Sequence, residues 1–162
     1  MFAGLDLAGK NKNPSGFCII NDKIKLKTLN NNTEILKEIG KNKIEILAID
    51  APLTNCNKPL RKSDKLLKKR GFKPLSLSFP AMQMLSNRGI SIRDCINTDK
   101  IDVIETFPRA IEKILNKNKD KIKRKYECSD HEYDAYLCAL CSKYFYKGKA
   151  EVLNNEIVIP KK

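Results

Sequence analysis

Four acidic residues in this 162-residue sequence stand where carboxylates are uncommon. Asp6 lies in an apolar stretch predicted to be a strand, and Asp50 ends a later apolar run of strand length. Glu105 lies within a third such stretch, and Asp134 falls in the first turns of a predicted apolar helix. Burying an unpaired charge is expensive, so each of these carboxylates needs a partner. Taken singly, each is also explained as a helix cap, a turn residue or one half of an ion pair.

The chemistry that such carboxylates would perform together is metal binding. Functional sites of α/β sheets form at the carboxyl ends of parallel strands, where such residues converge. Mg²⁺ prefers oxygen ligands in near-octahedral geometry. Two such ions about 4 Å apart can activate a water molecule and stabilise the leaving oxygen of a phosphodiester. The sequence therefore predicts that Asp6, Asp50, Glu105 and Asp134 bind Mg²⁺ or Mn²⁺.

The single histidine of the chain is placed close to one of these residues. His131 and Asp130 precede Asp134 by three and four positions, so all three share one face of the predicted helix. A histidine in this place could act as a proton shuttle or a metal ligand. The alternative is a partly exposed histidine at a helix start with no chemical role.

Charge and composition indicate a polyanionic partner. The net charge is +13 and the sequence pI is about 9.5, which favours nucleic acid. The alternative is that the lysine content only follows from a composition rich in Lys, Ile and Asn. The turn after Asp6 contains Gly9 and Lys10 and offers free amides to a phosphate, although no P-loop or dinucleotide fingerprint is present.

The elements that must position these residues alternate between strands and helices. The pattern predicts one α/β domain over 1–162, with a mixed sheet and helices on both faces. Predicted strands cover 2–8, 16–20, 24–29, 44–49 and 103–107, with a strand or hairpin at 152–159. Predicted helices cover 33–39, 60–70, 81–87, 108–115 and 129–146, and 117–125 is predicted to be a charged, solvated loop.

Several classes of protein are disfavoured by the sequence. The apolar runs are too short for a membrane helix, and the N-terminus lacks the pattern of a signal peptide, so we expect a cytoplasmic protein with no membrane partner. The six cysteines are expected to be reduced thiols. Cys138 and Cys141 form a C-x-x-C pair within a helical pattern, which favours core packing over a redox or zinc role.

Five short segments, taken in chain order, resemble one known family. They are Gly-Leu-Asp-Leu-Ala-Gly at 4–9, Ile-Asp-Ala-Pro-Leu at 49–53, Arg-Lys-Ser-Asp at 61–64, Val-Ile-Glu-Thr-Phe-Pro at 103–108 and Asp-His-Glu-Tyr-Asp-Ala at 130–135. The ordered set resembles the uncharacterised DUF429 family, whose members are predicted ribonuclease-H-like nucleases. The His131-x-x-Asp134 pair is also similar to the ending of Holliday-junction resolvases in the same superfamily.

The resemblance implies a ribonuclease-H-like fold and a divalent-metal-dependent phosphodiesterase acting on DNA or RNA. Asp6 would lie on the first strand and bridge two metal ions. Asp50, after the fourth strand, and Asp134, on the last helix, would complete one metal site each. Glu105 would be a further ligand or would orient the water. His131 completes the set of predicted catalytic residues.

Basic side chains around these carboxylates would hold the phosphates of the substrate. Lys10, Arg61 and Arg109 are the predicted phosphate contacts.

Two other functions remain open on the sequence. The chain could be a nucleic-acid-binding module that keeps the ribonuclease-H-like fold and its acidic residues without cutting. It could also be a relative of the sugar-kinase and actin group, whose first strand also ends in an Asp-x-Gly-like turn. That group normally needs two such domains around a nucleotide, and 162 residues supply one.

Overall fold

The computed structural model describes residues 1–96 and 100–161, which form one α/β arrangement. The strands are β1 (Phe2–Asp6), β2 (Ser15–Ile20), β3 (Ile24–Leu29), β4 (Ile46–Asp50), β5 (Asp102–Thr106), β6 (Ala150–Leu153) and β7 (Ile157–Pro160). The helices among these residues are α1 (Asn32–Lys41), α2 (Lys62–Lys69), α3 (Pro80–Cys95), α4 (Pro108–Ile114), α5 (Lys119–Tyr126) and α6 (Asp130–Tyr146).

The strands form a single mixed sheet in the order β3-β2-β1-β4-β5-β7-β6. The first three strands make an antiparallel meander, and β4, β5 and β7 run parallel to β1. β6 pairs with β7 as an antiparallel hairpin at the far edge. The carboxyl ends of β1, β4 and β5 therefore meet at one edge of the sheet, and the predicted mixed sheet is confirmed.

Apolar side chains alternate between the two faces of the sheet, as a period of two requires. On one face Leu5 and Phe17 pack against the buried positions of α1 and α3. On the other face Cys18 and Ile20 pack against α4 and α6. A third group of apolar residues, including Leu67 of α2 and Ile157 of β7, closes the end of the sheet beside the hairpin. Helices thus cover both faces.

Helix α6 lies directly against the backbone of the sheet. A Cβ added at Gly4 would lie 2.2 Å from the Ala135 carbonyl oxygen, and one at Gly16 would lie 1.9 Å from the His131 carbonyl oxygen. Only glycine permits this close approach. The helix begins with a capping box in which the Ser129 hydroxyl accepts from the Glu132 amide and the Glu132 carboxylate accepts from the Ser129 amide. The start of α6 is therefore held at the ends of β1 and β2.

Two predicted elements differ from the structure. Residues 117–125 are not a loop, because Lys119–Tyr126 forms α5, which Asn118 caps by accepting from the Lys121 amide. The predicted short helix at 81–87 is the first half of α3, which runs to Cys95. Pro80 occupies the first turn, where proline is tolerated, and so starts this helix instead of breaking it.

Within the described residues, no helix has the length and apolar character needed to cross a bilayer. All six cysteines are free thiols there. Cys138 and Cys141 are fully buried in α6, and burial raises the pKa of the Cys141 thiol to about 12. A thiol held in this protonated form is inert, so the C-x-x-C pair is part of the core, as predicted.

Candidate active site

Asp6 and Asp50 are brought together by the pairing of their strands. They end β1 and β4, which run parallel, and they are direct register partners. Neighbouring strands lie about 4.8 Å apart, and partners on adjacent strands point to the same face. Both side chains therefore belong to the face that α6 covers, since Gly4 on the same pleat of β1 contacts that helix.

Helix α6 adds His131 and Asp134 to this pair. The Nδ1 atom of His131 lies 2.7 Å from Oδ2 of Asp6. The His131 side chain is 53% exposed and that of Asp6 is 14% exposed, so the imidazole covers the carboxylate from the solvent side. Asp134 lies one turn further along, close enough to Asp6 for their charges to interact. We refer to Asp6, Asp50 and Asp134 as the open carboxylate cluster.

The pKa values of all three members of the open carboxylate cluster are raised, by burial in each case and by neighbouring carboxylates for Asp50 and Asp134. Burial raises the pKa of Asp50 well above its usual range, and the charges of Asp6 and Asp134 raise it further. Burial, together with the charge of Asp6, raises the pKa of Asp134 to about 6. Burial also raises the pKa of Asp6, against the opposing effect of the His131 hydrogen bond. The cluster therefore favours proton uptake or a bound cation.

Cations of the protein lie near this cluster without neutralising it. Arg109, at the start of α4, is exposed and lowers the pKa of Asp50 through its charge. Lys119 acts in the same direction on Asp134, but its ammonium pairs with Asp130 at 2.9 Å. Among the residues that the structure describes, neither Asp50 nor Asp134 takes part in a salt bridge.

Glu105 faces a different environment from the other three predicted ligands. Its register partner on β4 is Ile49, whose side chain lies on the α1 and α3 face. The side chains of Glu105 and Asp50 therefore lie on opposite faces of the sheet. Its carboxylate accepts from Arg61 at 2.5 and 2.8 Å and from the Leu53 amide at 2.9 Å.

Arg61 is buried, and its guanidinium is fully engaged by protein groups. It donates to both oxygens of Asp64, both oxygens of Glu105 and the Thr54 hydroxyl, which uses all five N–H donors. Burial alone would lower the pKa of Arg61, but the hydrogen bonds to Glu105 and Asp64 raise it. We refer to Arg61, Asp64 and Glu105 as the Arg61 cluster. No donor of Arg61 is left for the phosphate contact predicted from the sequence.

Two arginines of α3 hold the loops that follow the acidic strand ends, and sequence analysis did not single them out. Arg88 is buried and donates to the carbonyl oxygens of Ala8 at 2.5 Å and Lys10 at 3.0 Å, in the turn after Asp6. Arg93 donates to the Leu53 carbonyl, in the loop after Asp50. The sequence shows only that Arg88 and Arg93 are five positions apart. Pro74 and Pro80 make the secondary structure of this region hard to predict, so the spacing could not be placed on a helix face.

Lys10 and Arg109, the other two predicted phosphate contacts, are both exposed. Lys10 lies on the turn after β1, beside a shallow surface depression lined by Asn11, Lys12 and Met84. Arg109 lines a deeper cavity next to Asp50.

The chemistry of Asp6, Asp50 and Asp134 fits a hard divalent cation, because all three supply carboxylate oxygens. Their pKa values are raised, so a bound cation would relieve the cost of ionising them. Within residues 1–96 and 100–161, however, no three His, Cys, Asp or Glu side chains are arranged to hold one metal ion. Cation binding therefore requires these side chains to draw together. Neutralising their repulsion would favour that movement.

No family model matches this chain, and neither does any curated protein.

Proposed function

We propose that this protein is a divalent-metal-dependent nuclease with a ribonuclease-H-like fold, related to the DUF429 family. The observation that carries the proposal is the open carboxylate cluster, in which partly buried acidic residues face one another without a salt bridge to Asp50 or Asp134 among the described residues. A strongly basic chain that leaves such a cluster uncompensated has chemistry suited to a phosphodiester and its cation.

The position of each carboxylate in the fold supports this proposal. Asp6 ends the first strand, Asp50 ends the fourth and Asp134 lies on α6, the last helix described. These are the places that the resemblance to DUF429 implies. The antiparallel meander followed by parallel strands also supports a ribonuclease-H-like arrangement.

Asp6, Asp50 and Asp134 would hold Mg²⁺ or Mn²⁺ through their carboxylate oxygens. The bound ions supply positive charge that offsets the charge developing on the phosphodiester. His131, hydrogen-bonded to Asp6 and more than half exposed, is placed to move a proton between the site and solvent. Arg109, in the cavity that Asp50 also lines, and Lys10, on the turn after Asp6, would bind phosphates of the substrate.

Glu105 has a positioning role in this scheme. It holds the Leu53 amide and the Arg61 guanidinium, and so fixes the loop that leaves β4 directly after Asp50. Arg88 and Arg93 fix the neighbouring loops from α3. A rigid surrounding shell of this kind keeps ligands in place when like charges would otherwise push them apart.

The test is cleavage of single-stranded, duplex and junction substrates of DNA and RNA with Mg²⁺ or Mn²⁺. Asp6→Asn keeps the size of the side chain but removes one charge from the metal ligands. We expect the rate to fall by about 100-fold or more, because metal ions supply several kcal/mol of transition-state stabilisation. Asp22→Asn, in the exposed turn between β2 and β3, removes the same charge far from the site and should cleave like the wild type.

A second function is favoured by one observation, which is that the described carboxylates do not converge on a single metal position. A non-catalytic nucleic-acid-binding module would keep the basic surface without needing that convergence. It predicts binding that weakens steeply with salt, no cleavage of any substrate in the panel, and equal or tighter binding by Asp6→Asn. Wild-type cleavage that Asp6→Asn abolishes excludes this module, and absence of wild-type cleavage excludes the nuclease.

A further inference from the structure

A cavity of about 260 Å³ opens beside Asp50 at the carboxyl edge of the sheet. Its polar side is formed by Asp50, Arg109 and the Arg61 cluster. Its opposite side is formed by apolar side chains from the segment between α2 and α3, from α3 and from the residue before α4, namely Leu75, Leu77, Met82, Leu85 and Phe107. The cavity is thus contiguous with the open carboxylate cluster and has a different chemical character.

We propose that this cavity receives one unpaired nucleoside of the substrate. The enzyme would then act on nucleic acid with a single-stranded segment or end instead of on a continuous duplex. This inference rests on the proposed nuclease function and adds the class of substrate to it.

The size and lining of the cavity match a heterocyclic base. A single buried water needs roughly 10–15 Å³ of cavity space, so this cavity is much larger than a structural water site. Mostly apolar walls with a few polar groups are typical of sites that bury a planar organic ligand. The apolar wall of Leu77, Met82 and Leu85 suits the face of a base.

Charge at the mouth of the cavity suits the phosphate attached to that nucleoside. Arg109 and Lys73 line the cavity, and both side chains are exposed. An anion bound there would lie beside Asp50, where the proposed cation binds. A nucleoside in the cavity would therefore place its own phosphodiester next to the open carboxylate cluster.

The rim of the cavity carries apolar groups that are costly to leave in water. Leu75 lines the cavity and is 60% exposed, and Phe79, the N-cap of α3 in the same segment, is 53% exposed. Exposed aromatic side chains beside a basic groove are the usual stacking partners of unpaired bases. A base inside a duplex is already stacked and must be extruded before it can enter such a pocket, so an unpaired base enters at lower cost.

The experiment uses tryptophan fluorescence, because the chain has no natural tryptophan. Leu75→Trp places one reporter on the cavity lining, and Phe79→Trp places one two residues after Leu77, which also lines the cavity. We refer to these two as the rim reporters. Tyr146→Trp is the matched control, since Tyr146 is also 60% exposed but packs on Phe2, at the amino end of β1 and the opposite edge of the sheet. Each variant is titrated in EDTA with a five-nucleotide single strand of DNA or RNA, with a blunt hairpin, and with an abasic single strand.

We expect saturable quenching of both rim reporters by the single strands, at concentrations at least about tenfold lower than for the blunt hairpin. The abasic strand should quench weakly, and the Tyr146→Trp control should show no saturable change. A preference between the DNA and RNA strands would identify the sugar that the cavity accepts. Equal quenching by the blunt hairpin or by the abasic strand, or no quenching of either rim reporter, would overturn the inference.

This readout needs no cleavage, so the two proposals fail separately. Selective quenching by single strands without cleavage of any substrate overturns the nuclease and keeps a single-strand binding site. Cleavage that depends on Asp6, together with quenching that ignores strandedness, keeps the nuclease and overturns the role of the cavity.

Discussion

The open carboxylate cluster and the Arg61 cluster place acidic residues at the same edge of the sheet with opposite electrostatic outcomes. In the Arg61 cluster, two buried carboxylates share one guanidinium through short, bidentate hydrogen bonds. In the open carboxylate cluster, burial raises the pKa values of all three carboxylates, and the charge of Asp6 raises those of Asp50 and Asp134 further. Among the described residues, Asp6 pairs only with His131. Each cluster combines carboxylates from the sheet with one from a helix: Glu105 of β5 with Asp64 of α2, and Asp6 and Asp50 with Asp134 of α6.

Burial does not distinguish the two clusters, because both contain buried carboxylates. They differ in whether a cation of the protein neutralises those carboxylates. A carboxylate with a protein cation has already been neutralised, and its role is to hold that cation in place. A carboxylate whose neighbours are other carboxylates leaves charge to be neutralised by something outside the chain. On this basis we propose that Glu105 supports the site and that Asp6, Asp50 and Asp134 form it.

The largest expected effect comes from removing the counter-ion of the Arg61 cluster. Arg61→Leu leaves Glu105 and Asp64 buried without a cation, and we expect the free energy of unfolding to fall by about 3–5 kcal/mol. Urea denaturation measures this loss. Arg70→Leu is the matched control, because Arg70 forms a partly exposed bidentate pair with Glu151 and should cost about 0–1 kcal/mol. Equal losses in the two variants would contradict a structural role for the Arg61 cluster.

The next effect concerns the open carboxylate cluster and its cation. Mn²⁺ should raise the melting temperature of the wild type, with a stabilisation of about 2.7 kcal/mol at a concentration 100 times the dissociation constant. Asp50→Asn should abolish the shift, because it removes a ligand. Asp64→Asn, in the Arg61 cluster, should lower the melting temperature measured without metal. It should still show the increase in melting temperature when Mn²⁺ is added. Differential scanning calorimetry checks all three proteins, and an unchanged shift in Asp50→Asn would count against the metal site.

The smallest effect is the pH dependence of the protein without metal. The pKa of Asp134 is raised from 3.8 to about 6, so the folded state keeps a proton that the unfolded state has lost. The stability that this proton contributes is present below pH 4 and is lost as the pH rises through 6. We expect a contribution on the order of 1 kcal/mol, because Asp134 is partly solvated. The measurement is the difference between the free energies of unfolding at pH 4 and pH 7.5, with EDTA present to exclude metal.

Replacement of Asp134 by Asn should remove this part of the pH dependence. Asp130→Asn is the control one turn earlier, because Lys123 and Lys119 lower the pKa of Asp130 to about 2, below the range tested. The slope of Asp134→Asn should be shallower than that of the wild type but not zero, because the pKa values of Asp6 and Asp50 are also raised. A slope equal to that of the wild type would show that Asp134 contributes none of it.

Much of the fold followed from local pattern. The predicted strand at 24–29 coincides with β3, and the predicted helix at 129–146 coincides with α6 and its cap Ser129. Asp6 and Asp50 were recognised because each interrupts or ends an apolar run. These features depend on residues within a few positions of one another, so the sequence specifies them without reference to the rest of the chain.

Two helices, α3 and α5, were not predicted correctly because prolines and charged residues hide their helical pattern. Pro74 and Pro80 obscured α3, although Pro80 suits a first helical turn, and the lysines at 117–125 concealed α5, which has no buried residue. The apolar face of α5 consists of Ile122 and Tyr126, which are partly buried against the core, and two such residues among the lysines give too weak a helical period to detect.

The sequence by itself determined which strands end in carboxylates and that a basic chain surrounds them. Only the tertiary structure decided which carboxylates share a face. Glu105 pairs with Ile49 and not with Asp50, and this shift of one residue sends its side chain to Arg61 and away from Asp6. Register depends on pairing between segments more than fifty residues apart, and side chains alternate at every position, so local pattern cannot assign the face. The close approach of α6 through Gly4 and Gly16, which delivers His131 and Asp134, is set by the same long-range packing.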